Sequence, residues 1–396
     1  MKNNLAFDAA ERIRNVPFSP VRKVMERAKE IEAQGNKMVY FQIGEPDFDT
    51  PRPIIEATVT ALRQNRTHYG PNRGTLELRE TIARDIQRKN HLQYDPRDEI
   101  LVVVGGAEAL FASIFSLVNP GDEVILFTPA FMNYAALVEM AGAVPICIQL
   151  RKENDLQIDP AEVRRRVSPK TKMMVINNPS NPTGVVYDEK VLAELAEIAE
   201  QNNIIVLSDE IYDEITYDGI TCRSMATFPG MRERTILMNG FSKAYAMTGW
   251  RMAYVATDKR LVSHLLKIHQ YVTTCAPTFI QDGLAAAMLA PETDEAKTAM
   301  VAAFARRRNI LLDGLRKIPG FSFAEPKGAF YVLLDVSGTG LTGEVFAARL
   351  LEEKHVAVVP GVGFGSEPGY VRLSFALSEE DIQLGLERMA EFVREL

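Results

Sequence analysis

The alternation of short apolar runs with stretches of helical periodicity is the feature that most constrains the fold of this chain. Stretches with helical spacing, such as Ala107–Val118 and Asp188–Gln201, separate most of the apolar runs. Strands that alternate with helices predict an α/β fold, with a mainly parallel sheet of about seven strands covered by helices on both faces. The predicted strands are Ile100–Val104, Glu123–Phe127, Val144–Ile148, Lys172–Asn177, Ile204–Asp209, Thr235–Asn239 and Met252–Ala256.

The chain changes character after about residue 290. Helices are predicted over Glu292–Lys317, Thr342–Lys354 and Glu379–Leu396, with strands near Ala329–Asp335, Ala357–Val359 and Tyr370–Ala376. This order predicts a smaller α+β domain, against which a helix predicted across Ser19–Gln34 is expected to pack. Because 396 residues exceed one ordinary core, we predict a large domain at 44–289 and a small domain formed by 1–43 and 290–396.

Charge and cysteine content argue against several classes of function. The formal net charge is -7, so the chain lacks the basic excess that binds nucleic acids or anionic membranes. Three scattered cysteines fit neither a disulfide framework nor a metal site, and Cys147, in the apolar run VPICI, is predicted to be buried. No apolar run reaches the length of a membrane span, and the start lacks the apolar core of a signal peptide. We therefore expect a cytoplasmic location.

Lys243 follows the sixth predicted strand, with Ser242 directly before it and Arg251 eight residues after it. An amine delivered by a loop between two buried strands, beside a hydroxyl and a guanidinium, suits a phosphorylated aldehyde cofactor. The lysine would form an imine with the aldehyde, and Ser242 and Arg251 would hold the phosphate. The alternative is a solvated surface lysine, which is the usual state of this residue.

Polar residues after two other strands extend this interpretation. Asp209 closes the fifth predicted strand, where an acid needs a cationic partner such as a protonated pyridine nitrogen. Tyr212 follows three residues later, and Asn181 lies in the loop NNPSNPTG; both could donate to a ring hydroxyl oxygen. The bond between Asn181 and Pro182 is a candidate cis peptide. The alternatives are a helix N-cap for Asp209, a packing role for Tyr212 and a simple turn for the loop.

Three further segments offer groups for an anion, a ring and a substrate. In VVVGGAEALF, the backbone N–H groups of Gly106 and Ala107 would point at a phosphate from a helix N-terminus, although the dinucleotide spacing G-x-G-x-x-G is absent. Phe131 could stack on a cofactor ring or belong to the core. Arg372, in the apolar strand YVRLSFA, could pair with a substrate carboxylate or with an internal acid.

Together these segments resemble the class I/II aminotransferases of the aspartate aminotransferase superfamily, which are pyridoxal-phosphate enzymes of fold type I. The resemblance extends over nearly the whole chain, from Gly44 to Ala376. Any one motif would be a weak signal, whereas the set is specific. The motifs occur in the family's order and approximate spacing, and they are GEPDFDTP, HYGPNRGTLELR, GGAEAL, NNPSNPTG, SDEIYDEI, SKAYAMTGWR and YVRLSFA.

The resemblance implies a role for each matching residue. Lys243 would be the Schiff-base lysine and the acid/base of the 1,3-proton shift. Arg372 would grip the substrate α-carboxylate, with Gly44 and Asn181 as further substrate contacts. Tyr69 would reach the cofactor phosphate of the neighbouring subunit, which implies a homodimer with shared sites. The other implied contacts to pyridoxal 5'-phosphate are Asp209, Tyr212, Asn181, Ser242, Arg251, Gly106, Ala107 and Phe131.

Two local details follow from the same resemblance. The segment VPFSP, Val16 to Pro20, looks like part of a moving lid. Many relatives carry a serine where this chain has Gly240, so one hydroxyl donor to the phosphate is missing here. One such hydrogen bond is worth about 1 kcal/mol of cofactor affinity.

The implied activity is transfer of an amino group between an L-amino acid and a 2-oxo acid. Glutamate and 2-oxoglutarate are expected as one pair, with aspartate or an aromatic amino acid as the other donor; the sequence identifies no cation opposite Arg372 for a dicarboxylate. A β-lyase or decarboxylase on the same scaffold is the alternative, since the motifs fix the cofactor better than the bond that breaks. A non-enzymatic sensor with an aminotransferase-like domain is a second alternative, disfavoured by the absence of a basic excess.

Overall fold

The computed structural model describes residues 9–14 and 16–396. Within them the strands are β1 Val39–Tyr40, β2 Ile100–Val103, β3 Glu123–Thr128, β4 Val144–Gln149, β5 Thr171–Asn177, β6 Ile205–Asp209, β7 Thr235–Gly240, β8 Ala253–Ala256, β9 Ser322–Phe323, β10 Tyr331–Asp335, β11 Val356–Ala357, β12 Val359–Pro360 and β13 Tyr370–Ser374. The helices are α1 Pro20–Glu32, α2 Arg52–Arg63, α3 Leu76–Asn90, α4 Gly106–Leu117, α5 Asn133–Met140, α6 Pro160–Arg166, α7 Glu189–Gln201, α8 Lys259–Val272, α9 Thr278–Ala287, α10 Pro291–Leu315, α11 Gly343–Lys354 and α12 Glu379–Arg394.

The central sheet has seven strands in the order β2-β8-β7-β6-β5-β3-β4. All neighbouring strands are parallel except β8, which is antiparallel to both β7 and β2. The predicted seven-stranded, mainly parallel sheet is thus confirmed. The carboxyl ends of β5, β6 and β7 meet at one edge, which is where open α/β sheets bind ligands.

Helices cover both faces of this sheet, as the apolar runs predict. Met173 and Val175 of β5 lie in a core with α4 and α8, whereas their neighbours Met174 and Ile176 lie in a different core with α6 and α7. Because alternate residues of a strand point to opposite faces of the sheet, both faces of the sheet are buried at β5. Burial of each side chain of this size stabilises the folded state by about 1.5–3 kcal/mol.

A second sheet of four antiparallel strands, β12-β13-β10-β9, forms a separate core with α10, α11 and α12. Ala28 and Ile31 of α1 bury against Leu351 and Ala357 of this part, so the early helix packs where it was expected. The domain limits, 44–289 for the large domain and 1–43 with 290–396 for the small domain, remain a prediction.

Two local predictions fail. The single strand expected near Ala357–Val359 is two short strands, because β11 pairs with β1 and β12 pairs with β13, so the chain changes sheets at Val358. Cys147 is exposed rather than buried. It lies on β4, the last strand of the sheet, where only Ile148 is fully covered. A continuous apolar run therefore does not separate an edge strand from a central one. In the described part of the chain, no helix is both long and apolar enough to cross a membrane.

Candidate active site

A cavity of about 510 Å³ lies at the carboxyl ends of β5, β6 and β7. Its volume is in the range of small-molecule sites. Eleven of the twelve residues singled out by the sequence line it: Gly44, Gly106, Ala107, Phe131, Asn181, Asp209, Tyr212, Ser242, Lys243, Arg251 and Arg372. The structure therefore brings together residues that lie as far as 328 positions apart in the chain, from Gly44 to Arg372.

Lys243 projects its amine into this cavity, where Nζ donates a hydrogen bond to the carbonyl oxygen of Gly44 across 2.6 Å. Burial lowers the pKa of the amine to about 8, assisted by the positive charges of Arg372 and Arg251 and opposed by Glu45. At that pKa roughly a tenth of the amine is neutral at pH 7. The side chain can therefore act as a nucleophile and as an acid/base.

Asp209 is buried at the end of β6 with neutral partners. Tyr134 donates its hydroxyl hydrogen to Oδ2 across 2.6 Å, and the backbone N–H of Ile211 donates to Oδ1 across 3.2 Å. Burial raises the pKa of Asp209 to about 6, while these two hydrogen bonds and the charge of Lys243 lower it. The following residues 211–214 form a turn and not a helix, so Asp209 caps no helix. A cation entering the cavity would compensate the charge of this carboxylate.

Arg372, on β13, lies between two aromatic rings, with its guanidinium carbon 4.7 Å from the ring centroids of both Tyr331 and Phe364. Its terminal nitrogens donate to Asn181 Oδ1 (3.2 Å) and to the carbonyl oxygen of Gln42 (2.9 Å). Within the described residues its Nε is buried without a partner, and its partners are carbonyl oxygens, so the internal salt bridge considered above is not formed. Burial lowers its pKa. This guanidinium can accept a carboxylate from a ligand.

The amino end of α4 and the guanidinium of Arg251 lie close together at the wall of the cavity, an arrangement that can hold an anion. Gly106 and Ala107 are the first residues of α4, so their backbone N–H groups have no acceptor within the helix. Gly105 has φ +79°, and a Cβ there would collide with the guanidinium of Arg251. The glycine therefore lets Arg251 approach the helix end, where the helix dipole also favours an anion. Ser242 lines the same cavity.

Two tyrosines of the site were not singled out from the sequence. Tyr134 packs edge-on against Phe131, at a centroid distance of 5.8 Å, and donates to Asp209. It stands three residues after Phe131 in TPAFMNY, so the motif could have indicated it. Tyr331 shares a hydrogen bond of 3.0 Å with the hydroxyl of Tyr212. No sequence motif indicates Tyr331, because 119 residues separate it from Tyr212.

Four other features noted in the sequence meet different outcomes. Tyr69 is 88% exposed and does not line the cavity formed by this one chain. Ser19, from the lid segment, does line the cavity. The peptide bond between Asn181 and Pro182 is cis, as expected. At Gly240, a Cβ would lie 2.8 Å from the Cβ of Ala253, so a serine would not fit there without a shift of β8.

The sequence matches the family "Aminotransferase class I and II" over residues 36–389. The chain belongs to this family. It is 40% identical to the aspartate aminotransferase of Pyrococcus abyssi and 37% identical to the aromatic-amino-acid aminotransferase 2 of Thermococcus litoralis, in each case over 98% of both chains. The solved structure of the Thermus thermophilus aspartate aminotransferase with maleate is similar with a TM-score of 0.92 and 39% identity, over 98% of this chain and 100% of that chain.

This protein is therefore an aminotransferase with the fold of its family, and it is an enzyme rather than a sensor. Class I and II aminotransferases depend on pyridoxal phosphate and exchange amino groups between amino acids and oxo acids. The lyase or decarboxylase alternative is not favoured, because the relatives that match over the full length carry aminotransferase names.

Proposed function

We propose that this aminotransferase holds pyridoxal 5'-phosphate in the 510 Å³ cavity and transfers amino groups through Lys243. The proposal rests on the surroundings of Asp209. This buried carboxylate lies in the same cavity as Lys243, and its two described hydrogen-bond partners are both neutral. A protonated pyridine nitrogen supplies the missing positive charge. When bound, the cofactor provides a carbonyl that accepts the amino group and a ring that withdraws electrons.

The remaining contacts fit the other parts of this cofactor. The phosphate would lie against the amino end of α4, with Arg251 and Ser242 as further donors. Asn181 would use Nδ2 toward the ring hydroxyl oxygen, because its Oδ1 already accepts from Arg372. Tyr212 would donate to the same ring oxygen, and Phe131 would stack on the ring.

The substrate amino acid would be held by its α-carboxylate at Arg372, with the Gly44 backbone beside it. The amine of Lys243 would accept the α-proton of the substrate and deliver it to the aldehyde-derived carbon of the cofactor, which the transferred nitrogen separates from the α-carbon. The Gly44 carbonyl oxygen, 2.6 Å from Nζ, would hold the ammonium between these two proton transfers. An amine with a pKa of about 8 can both accept and donate this proton near neutral pH. We propose 2-oxoglutarate as the amino acceptor.

We further infer a homodimer with shared sites. Tyr69 is a large aromatic residue with 88% exposure, and in one chain it lies outside the cavity. In a dimer, Tyr69 of each subunit would donate to the phosphate in the other. The lid role of 16–20 and the cytoplasmic location remain predictions.

The proposal is tested by the visible spectrum of cofactor-loaded protein as single amino acids are added without an oxo acid. A substrate is expected to bleach the band of the lysine-bound cofactor to a stable amine form, and an oxo acid is expected to restore it. A band that survives every amino acid would overturn the assignment. Transient bleaching with accumulation of other products would favour the lyase or decarboxylase.

A further inference from the structure

The turn that leads into α4 contains two consecutive glycines, Gly105 and Gly106. Glycine has more backbone freedom than any other residue, so this turn does not by itself hold its N–H groups in one direction. Glu108, the third residue of α4, closes the turn, because its Oε2 accepts a hydrogen bond from the backbone N–H of Val104. A carboxylate that reaches back to the backbone before the helix is typical of a helix start.

Glu108 accepts two further hydrogen bonds that a helix start does not need. Its Oε1 lies 2.8 Å from Nδ1 of His269 and 2.7 Å from the hydroxyl of Thr273, 161 and 165 residues further along the chain. His269 is in the last turn of α8, and Thr273 directly follows that helix. Glu108 and His269 are both buried, and α4 and α8 share one hydrophobic core. The turn before α4 is therefore tied to the end of a second helix.

The arrangement requires the carboxylate form of Glu108. Burial raises the pKa of this group, but the hydrogen bonds from His269, Thr273 and the Val104 N–H outweigh burial and lower the pKa below its ordinary value. An ionised carboxylate only accepts hydrogen bonds, so Nδ1 of His269 carries the hydrogen. A glutamine could not replace Glu108, because one end of its amide accepts and the other end donates.

We propose that Glu108, His269 and Thr273 form a positioning network for the cofactor phosphate. The network fixes the direction of the backbone N–H groups of Gly106 and Ala107. The inference rests on the proposed function, because it takes the amino end of α4 as the phosphate site. In the cavity formed by the described residues, none of the three side chains belongs to the wall, so the network acts through the turn and not by contact with the cofactor. The alternative is a helix cap that stabilises α4 and leaves phosphate binding unaffected.

The test measures the dissociation constants of pyridoxal 5'-phosphate and of pyridoxal for the cofactor-free protein, from the absorbance of the lysine-bound form. The two ligands differ in the phosphate, so the ratio of the two constants isolates the phosphate site. We expect Glu108→Gln to weaken the binding of pyridoxal 5'-phosphate about tenfold and to change that of pyridoxal less than about twofold. Charge alone predicts the opposite sign, because Glu108→Gln removes a negative charge from the helix end that receives the phosphate.

A matched pair at Thr273 makes a smaller change to the fold. Thr273→Val keeps the shape and removes the hydroxyl, and it should change the ratio of the two constants about threefold in the same direction. Thr273→Ser keeps the hydroxyl and should restore the wild-type ratio. Ser113→Ala is the control within α4, because the Ser113 hydroxyl donates to the carbonyl oxygen of Ala109 in the same helix. This control should lower the urea midpoint of unfolding without a change in the ratio.

Equal weakening of both ligands in Glu108→Gln would overturn the positioning role and leave Glu108 as a helix cap. Tighter binding of pyridoxal 5'-phosphate in that variant, or a wild-type ratio in Thr273→Val, would overturn it too. Failure of the proposed function looks different. The wild-type protein would then bind the two ligands equally, and inorganic phosphate would not compete with pyridoxal 5'-phosphate.

Discussion

The hydroxyl of Tyr134 donates a hydrogen bond to Oδ2 of Asp209 across 2.6 Å, and both side chains are buried. The same tyrosine packs edge-on against Phe131. Tyr134 therefore connects the ring proposed to stack on the cofactor with the carboxylate proposed to pair with its nitrogen. Neither the stacking nor the pairing requires Tyr134 to touch the substrate, so we regard it as a positioning residue.

Tyr134→Phe keeps the ring and removes the donor. Because the hydrogen bond from Tyr134 lowers the pKa of Asp209 against the larger effect of burial, loss of this hydrogen bond raises that pKa further. A smaller fraction of the carboxylate is then ionised at pH 7. We expect kcat to fall about tenfold, as for loss of a hydrogen bond to a charged group, and the acidic limb of the kcat–pH profile to move to higher pH.

Tyr217→Phe is the matched control for this change. Tyr217 is also buried, and its hydroxyl donates to the carbonyl oxygen of Ala329, outside the cavity. The Tyr217→Phe protein should lose about 1 kcal/mol of stability, and its kcat–pH profile should not shift. A Tyr134→Phe profile that matches the Tyr217→Phe profile would contradict the positioning role.

Asp209→Asn is expected to stabilise the cofactor-free protein while it impairs the enzyme. The folded-state pKa of Asp209 is raised from 3.8 to about 6. The folded state therefore binds more protons than the unfolded state between these values, and stability falls as pH rises through them. At pH 7.5 we expect the free energy of unfolding of Asp209→Asn to exceed that of the wild type by roughly 1–3 kcal/mol, from 1.36 kcal/mol per pKa unit.

This difference should shrink as the pH is lowered toward 4, where the wild-type carboxyl is protonated in the folded state. Urea unfolding of both cofactor-free proteins at pH 4, 5.5 and 7.5 measures it. A stability difference that is independent of pH would show that Asp209 is not destabilised by its burial.

Lys243→Ala is expected to abolish transamination and to leave the cofactor unlinked. Borohydride reduction followed by mass spectrometry should add the cofactor covalently to the wild type and not to the variant. Lys152→Ala is the control, since Lys152 pairs with Asp335 outside the cavity and is more than half exposed. Substantial turnover in Lys243→Ala would remove the lysine from the reaction.

Arg372→Ala is expected to raise the Michaelis constants of both the amino acid and the oxo acid, by roughly 10–100-fold, because each loses its α-carboxylate partner. Arg372→Lys keeps the charge without the two-pronged geometry and should fall between the alanine variant and the wild type. Steady-state kinetics with both substrates varied measures this. Unchanged constants in the alanine variant would place the arginine outside the substrate site.

The sequence by itself determined the family, the sheet and eleven of the residues that line the cavity. Local periodicity suffices for the sheet and for the position of the cavity, because strands buried on both faces are continuously apolar and the loops after them carry polar residues such as Asn181, Asp209 and Lys243. The motifs then act as a set. Their order along the chain indicates an architecture that no single motif could indicate.

The tertiary structure alone decided which distant side chains touch. It set Arg372 between Tyr331 and Phe364, paired Tyr331 with Tyr212, and brought the segment before α1 to the cavity. It also placed Cys147 on an edge strand. These relationships depend on strand order and on how segments that are distant in the sequence pack together. Hydrophobic periodicity indicates only whether a face of a strand or helix is buried. It contains no information about which distant residue packs against that face.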